Sequence, residues 1–304
     1  MTTDSDHNGQ SRRARARKVE FEADGPVELD IGVADCDVTV ELGGDSGGSV
    51  ELRHAPDRGA GWAGGLLDLV GWATERAEED SVDLAATAIA RSRIDHGDNR
   101  LLVRSPQSPP LRSVPMSLLV RVPSSSRVTV RTETGDVTVK GEAAGLDLRA
   151  GAGEVHADAA DGRVTVGSGA GRIRLTRVRG ETTVHSGAGE VDLSEVSGRT
   201  AVRTGLGTVR MGTVRGDVTV RTGAGDITVT EAVEGDLRLT TGTGQLHIGI
   251  ARGVHTELDV QAPLGGFRSA LAVADHPPSD AEVGLRVRAR SGLGRVHVTS
   301  TERP

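Results

Sequence analysis

Gly187-Ala188-Gly189-Glu190-Val191-Asp192-Leu193 and Gly223-Ala224-Gly225-Asp226-Ile227-Thr228-Val229 are two copies of one pattern, and the interval at which it recurs decides the fold. The first glycines of the Gly-x-Gly tripeptides stand at 151, 169, 187, 205, 223 and 242, so the steps are 18, 18, 18, 18 and 19 residues. Glu133-Thr134-Gly135 keeps the second glycine one step earlier, and Gly292-Leu293-Gly294 repeats the motif near the C-terminus. A second glycine column, Gly162, Gly180, Gly198, Gly216 and Gly235, follows the same rhythm. Each repeat therefore holds two turns and two short strands.

Four columns between the turns are apolar or nearly so. After Gly-x-Gly come Val137, Val155, Ile173, Val191, Val209, Ile227 and Leu246, and two residues on come Val139, Ala157, Leu175, Leu193, Met211, Val229 and Ile248. The other strand carries Val128, Leu146, Val164, Thr182, Thr200, Val218 and Leu237, followed by Val130, Leu148, Val166, Val184, Val202, Val220 and Leu239. Polar residues stand between them, so the period is two and the strands are half-buried. Columns repeated at a fixed step predict strands stacked in register, a parallel β-solenoid of 18-residue coils. A long antiparallel meander folded into a sandwich also gives alternation, but it does not explain why each half-repeat keeps its own columns. The expected fold is all-β, with residues 128–255 as the solenoid.

Solenoid ends need covers. Residues 19–127 read as an irregular N-terminal β cap that begins as a degenerate coil: Val33 to Val40 (VADCDVTV) parallels Thr132 to Val139 (TETGDVTV), with Cys36 at the glycine position and Asp37 matching Asp136. Strands are expected at 49–53, 100–104 and 116–122, with a helix-prone insertion between the first two that carries Trp62 and Trp72. That insertion is either the cap's plug or a contact for a partner or membrane. Residues 256–304 read as strands, near 257–261 and 285–289, that close the far end around a loop at 274–280.

Composition narrows the function. The 304 residues include 42 glycines, two Phe, two Trp and no Tyr. Such a chain lacks the aromatics on which compact cores and pockets are usually anchored. No stretch has the length of apolar residues that spans a bilayer. Residues 1–18 are polar and then basic (Arg12, Arg13, Arg15, Arg17, Lys18) and read as a disordered tail without a secretory apolar region. With Cys36 as the lone cysteine, the expected compartment is the cytoplasm.

The residues that invite chemistry resolve into architecture. Acids after the turn (Asp136, Glu154, Glu190, Asp226) share their column with Arg172, Thr208, Gln245 and Arg295, so a calcium solenoid is not expected. His156, His247 and His297 share an outward column, but Arg174, Asp192, Arg210 and Thr228 separate the first two. No nucleophile–base pair or phosphate-cradling loop is apparent, so no enzyme, cofactor or metal is expected. One surface ladder stands out: Arg131, Arg149, His185, Arg203 and Arg221 share an outward column broken by Gly167. It is either a stripe for a nucleic acid or anionic polymer, or a solvated face balanced by neighbouring acids such as Asp217 and Glu190.

With these motifs laid out, the chain resembles the putative adhesin family of β-strand-repeat proteins, formerly catalogued as a domain of unknown function. The resemblance rests on the repeated Gly-x-Gly-[Asp/Glu]-[Val/Ile]-x-[Val/Leu] pattern. It extends to Val27 to Val40, Arg100 to Pro106 (RLLVRSP), Leu258 to Leu271 (LDVQAPLGGFRSAL) and Val287 to Val298 (VRARSGLGRVHV), and so covers about residues 19 to 300. It implies a β-solenoid-like repeat domain and no known catalytic residues. The resulting expectation is a noncatalytic interaction or scaffold protein that binds another protein or its own copies. The alternative is polyanion or cell-envelope binding through the arginine ladder.

Overall fold

A computed structural model of the chain describes residues 16–44, 46–56, 84–271 and 283–301. The chain divides into two compact units: residues 1–142 with 149–151, and residues 143–148 with 152–304.

The first unit holds β1 (Ala16–Phe21), β2 (Glu28–Leu42), β3 (Gly48–His54), β4 (Arg93–Gly97), β5 (Arg100–Arg104), β6 (Met116–Val122), β7 (Arg127–Thr134) and most of β8 (Val137–Ala143). β2 is the degenerate coil that the sequence announces. Its first half pairs in parallel with β7 (Val33 opposite Thr132) and its second half with β8 (Val38 opposite Val137). Cys36 lies fully buried at the corner between the halves. Beyond β2 the parallel rule stops. β5 and β6 still pair in parallel with β2, but β3 runs antiparallel to both β6 and β1, and β4 runs antiparallel to β5. β1 begins at Ala16, inside the stretch expected to be a tail. It is held there by its ladder to β3 and by Arg17 Nη1, which donates to Ser92 O at 2.7 Å. Of the expected helical insertion, residues 84–91 are helical and bury Ala85, Ala88 and Ile89; Trp62 and Trp72 lie outside the described residues.

The second unit is the solenoid. Its strands are β9 (Gly145–Ala152, of which residues 149–151 belong to the first unit), β10 (Val155–Ala160), β11 (Val164–Ala170), β12 (Ile173–Arg179), β13 (Thr182–Ala188), β14 (Val191–Ser197), β15 (Thr200–Leu206), β16 (Val209–Arg215), β17 (Val218–Ala224), β18 (Ile227–Thr243), β19 (Leu246–Ala251), β20 (Thr256–Gln261), β21 (Phe267–Ser269), β22 (Leu285–Leu293) and β23 (Val296–Thr301). One wall, sheet A, stacks β10, β12, β14, β16 and the first half of β18 in parallel. The opposite wall, sheet B, stacks β11, β13, β15, β17 and the second half of β18, also in parallel. Register follows the 18-residue step, as in Val164–Thr182–Thr200–Val218, which excludes the antiparallel sandwich. The 19-residue step is absorbed by a bulge: Val214 pairs with Ala232 and Arg215 with Glu234, leaving Val233 over.

Hydrogen bonds continue around the corners. Gly189 N donates to Leu206 O at 3.0 Å and Gly207 N to Ala224 O at 2.9 Å, so each Gly-x-Gly turn is bonded to the next coil. Acids after the turns do similar work: Asp226 Oδ1 accepts from Gln245 N at 2.7 Å, Asp37 Oδ1 from Asp136 N at 2.8 Å, and Asp217 Oδ1 from Asp236 N at 3.2 Å. These carboxylates hold the turn above them, a structural reason for acids in that column.

All four expected inward columns are buried. Two more columns line the core. Ala160, Val178, Val196, Val214, Ala232 and Ile250 add a third row to sheet A. Ser168, Ser186, Thr204, Thr222, Thr241 and Ser291, each just before Gly-x-Gly, form a buried hydroxyl row inside the corner. Thr241 Oγ1 donates to Gly225 O at 3.0 Å and Ser291 Oγ to Gly244 O at 2.9 Å, while the Ser186 hydroxyl has no partner among the described residues. An unpartnered buried hydroxyl gives up its hydration and gains nothing in return. Ser186→Ala is therefore expected to stabilise the protein or to cost less than about 0.5 kcal/mol, and Thr241→Val to cost about 1 kcal/mol. Thermal melts of both variants check this. A loss above about 1.5 kcal/mol for Ser186→Ala would mean that the hydroxyl is bonded after all.

At the C-terminal end the coils are not stacked in chain order. β22 and β23 pair directly with β18 and β19, while β20 and β21, which precede them in sequence, stack outside them. The expected strands at 257–261 and 285–289 are present in β20 and β22; the loop at 274–280 lies outside the described residues.

Candidate functional site

The arginine ladder falls in two places. In the first unit, Arg131 borders an open groove of about 580 Å³ that is also lined by Gly32, Arg104, Gln107, Glu133 and Arg149. Gly32 lies opposite both Arg104 and Arg131 in its sheet. Having no side chain, it lets Arg104 fold across it: a Cβ there would sit 3.0 Å from Arg104 Cδ. Arg104 thereby donates to Asp30 Oδ2 at 2.7 Å and to Asp30 O at 2.8 Å, and Arg131 Nη1 lies 3.5 Å from Asp30 Oδ1. One carboxylate thus serves two arginines. Nearby, Arg112 is paired with Glu133, which raises the Arg112 pKa. On the sheet A side of this unit, Arg121 and then Lys140 hold the Glu41 carboxyl below its ordinary pKa.

In the second unit, His185, Arg203 and Arg221 are neighbours in strict register on sheet B, all exposed. The row continues through Thr240 to Arg290, which stands two residues before Gly292 as Arg203 does before Gly205 and is brought next to Thr240 by the direct stacking of β22 on β18. Two residues along, the row of Gly187, Gly205, Gly223 and Gly242 leaves bare backbone beside the arginines. On the other side stand Thr183, Ala201 and Thr219.

Sheet A and the turns that enter it carry their charges differently. Arg172 pairs with Glu190 at 3.0 Å, Arg177 with Glu195 at 3.0 Å, Arg174 with Asp192 at 3.9 Å, and Arg210 with Glu190. These pairs link one coil to the next. The acids expected to balance the ladder are thus committed elsewhere: Glu190 to Arg172 and Arg210, and Asp217 to the backbone of Asp236. Among the described residues, Arg203 and Arg221 have no ion pair.

In the histidine column, His247 and His297 are neighbours along the stack. β23 pairs with β19, which puts the two rings face to face at 5.1 Å and 16°. Among the described residues, no group of three or more His, Cys, Asp or Glu side chains is placed to hold a metal ion.

The second unit thus stacks strand over strand in 18-residue register, with Gly-x-Gly at one corner. The family's sequence model matches residues 111–286, more than half of the chain. The chain belongs to the Toastrack DUF4097 family. Three crystal structures are similar to this Toastrack chain at low identity. A putative adhesin from Bacteroides fragilis NCTC 9343 is 10% identical over 93% of this chain and 97% of its own, with a TM-score of 0.45. A putative cell adhesion protein from Clostridium sporogenes ATCC 15579 is 8% identical over 94% and 100%, with a TM-score of 0.22. A putative adhesin from Parabacteroides distasonis ATCC 8503 is 10% identical over 94% and 97%, with a TM-score of 0.29. No curated protein matches the Toastrack chain. Among its described residues no helix is long and apolar enough to cross a membrane.

Proposed function

We propose that this Toastrack protein is a noncatalytic interaction module whose flat strand faces dock a partner. The observation that carries this reading is the register of the second unit. It sets outward side chains in rows that run in register from coil to coil, and on sheet A it commits carboxylates to coil-to-coil ion pairs. Catalysis by paired carboxylates or by a nucleophile and its base calls for groups that converge in a concave, water-poor site. Rows of this kind instead suit an extended contact with another surface. The cytoplasmic expectation has no structural support, since a lone buried thiol at Cys36 suits either redox compartment.

The test is affinity capture from cytoplasmic and membrane fractions of the source at low and high salt. Wild-type protein is compared with two variants, Thr183→Glu with Thr219→Glu on sheet B and Arg174→Glu with Thr228→Glu on sheet A. Retention of one defined partner by the wild type and its loss from one face variant is the expected result. Equal retention by all three proteins would remove the strand faces from the account.

A further inference from the structure

We propose that sheet B of the second unit is a docking strip for an extended anionic polysaccharide, bound along the row from His185 through Arg203 and Arg221 to Arg290. This rests on the interaction-module reading and names the partner's chemistry.

Charge comes first. Arg203 and Arg221 sit opposite each other on adjacent strands, both exposed and neither ion-paired among the described residues. Adjacent parallel strands are about 4.8 Å apart, so two side chains of like charge leave the wall from neighbouring positions. Like charges directly opposite on a sheet destabilise it. On sheet A the chain avoids this by alternating sign, with Arg174, Asp192 and Arg210 in successive coils of one column. On sheet B it does not: Asp217 accepts from the backbone of Asp236, and Glu190 is paired with Arg172 and Arg210. A net charge of −7 shows that the chain has no shortage of acids to place there. An unneutralised pair at this position is relieved by an external anion, and arginine's planar fork suits carboxylate or sulfate oxygens.

Shape then selects the class of anion. The charged row is single and runs in register from coil to coil, so the partner is extended and carries its charges along one line. The ladder's step of about 4.8 Å is close to the length of one sugar ring in an extended chain, whereas phosphates along one strand of duplex DNA advance about 3.4 Å along the axis. Single-stranded nucleic acid is held by stacking its bases on aromatic rings. The described phenylalanines are in β1 and β21, both in sheet A, so none stands on this wall. What flanks the arginines is instead a bare glycine row on one side, on which a ring can lie, and the Thr183 and Thr219 hydroxyls on the other, which can bond sugar hydroxyls.

The experiment is affinity electrophoresis and titration calorimetry of the full chain. Alginate serves as the carboxylated probe, dextran as the neutral one, and oligodeoxythymidylate as the nucleic acid. Alginate is expected to bind and dextran not to bind. Arg203→Ser with Arg221→Ser is expected to weaken alginate binding about tenfold and to flatten its salt dependence, since fewer counterions are released. Arg174→Ser with Arg177→Ser on sheet A is expected to leave binding unchanged. Melting curves confirm that both double variants fold. Absence of alginate binding, undiminished binding by the Arg203 and Arg221 variant, or tighter binding of oligodeoxythymidylate than of alginate each overturns the proposal. If alginate fails while a captured partner is still lost from a sheet B variant, the partner class is wrong and the interaction module stands. If alginate fails and all three proteins of the capture experiment retain the partner equally, the module reading falls with it.

Discussion

Gly207→Ala is expected to destabilise the solenoid by about 3 kcal/mol or more, while Gly167→Ala is expected to change stability by less than about 1 kcal/mol in either direction. The two glycines belong to the same run of repeats, and only the structure separates them. Gly207 turns the corner with φ +135°, a conformation that an L side chain rarely adopts, and a Cβ there would sit 1.9 Å from Gly189 O. That oxygen is backbone of the preceding coil, so it cannot swing aside as a side chain would. Moving Gly207 instead would strain its own bond to Ala224 O on the following coil. Backbone strain of about 1–3 kcal/mol and overpacking of similar size therefore add. Gly167 points outward from β11 with nothing within 4 Å of a Cβ, so alanine there restricts the unfolded chain and meets no obstacle. Urea unfolding of the two variants beside the wild type decides the matter. Equal midpoints would show that coil-to-coil approach at the corner does not limit the residue.

How far the sequence foretells this fold depends on where the alternation holds. Four inward columns are legible because polar and apolar residues alternate strictly and the step repeats at 18 residues. The sheet A column from Ala160 to Ile250 escapes that reading because two outward residues in succession, such as Thr176 and Arg177, break the period before Val178 turns inward. The buried hydroxyl row escapes for a different reason. A serine or threonine beside Gly-x-Gly is read as a turn residue, and only three-dimensional stacking shows Thr204 and Thr222 facing the core. The antiparallel strands of the first unit have no repeat to betray them. The swap in stacking order of β20 and β22 has no local signal either, since pairing between distant segments is chosen by fit rather than by chain order.

The site divides along the same line. That Arg203 and Arg221 are neighbours follows from the repeat alone. That they stay unneutralised does not, because it depends on which carboxylate reaches across to which coil. Asp217 is two positions from Thr219 in sequence, yet its Oδ1 accepts from the backbone of Asp236. Glu190 bridges Arg172 and Arg210 around the same corner. Charge counting along the sequence treats these acids as available, and geometry commits them.

The thin core makes a second large effect expected at Leu193. This side chain has 0% exposure and lies in one column between Leu175 on the coil before and Met211 on the coil after. Leu193→Ala is expected to cost about 2–4 kcal/mol, the transfer free energy of the lost atoms plus that of the space left behind. A globular core can close part of such a space by shifting a helix. Here the neighbours above and below are tied to their coils by continuous backbone ladders, so the walls cannot approach without breaking hydrogen bonds between strands. Only Met211 can give, because its unbranched thioether side chain adapts to irregular gaps. This yields a sharper expectation for the pair. Met211→Ala in the Leu193→Ala background removes the one adaptable neighbour, so the double variant should lose about 0.5–1 kcal/mol more than the sum of the two single losses. Denaturant unfolding of the four proteins supplies the cycle. A Leu193→Ala loss below about 1 kcal/mol would mean that this layer is loosely packed, and strict additivity would mean that Met211 does not relax into the space.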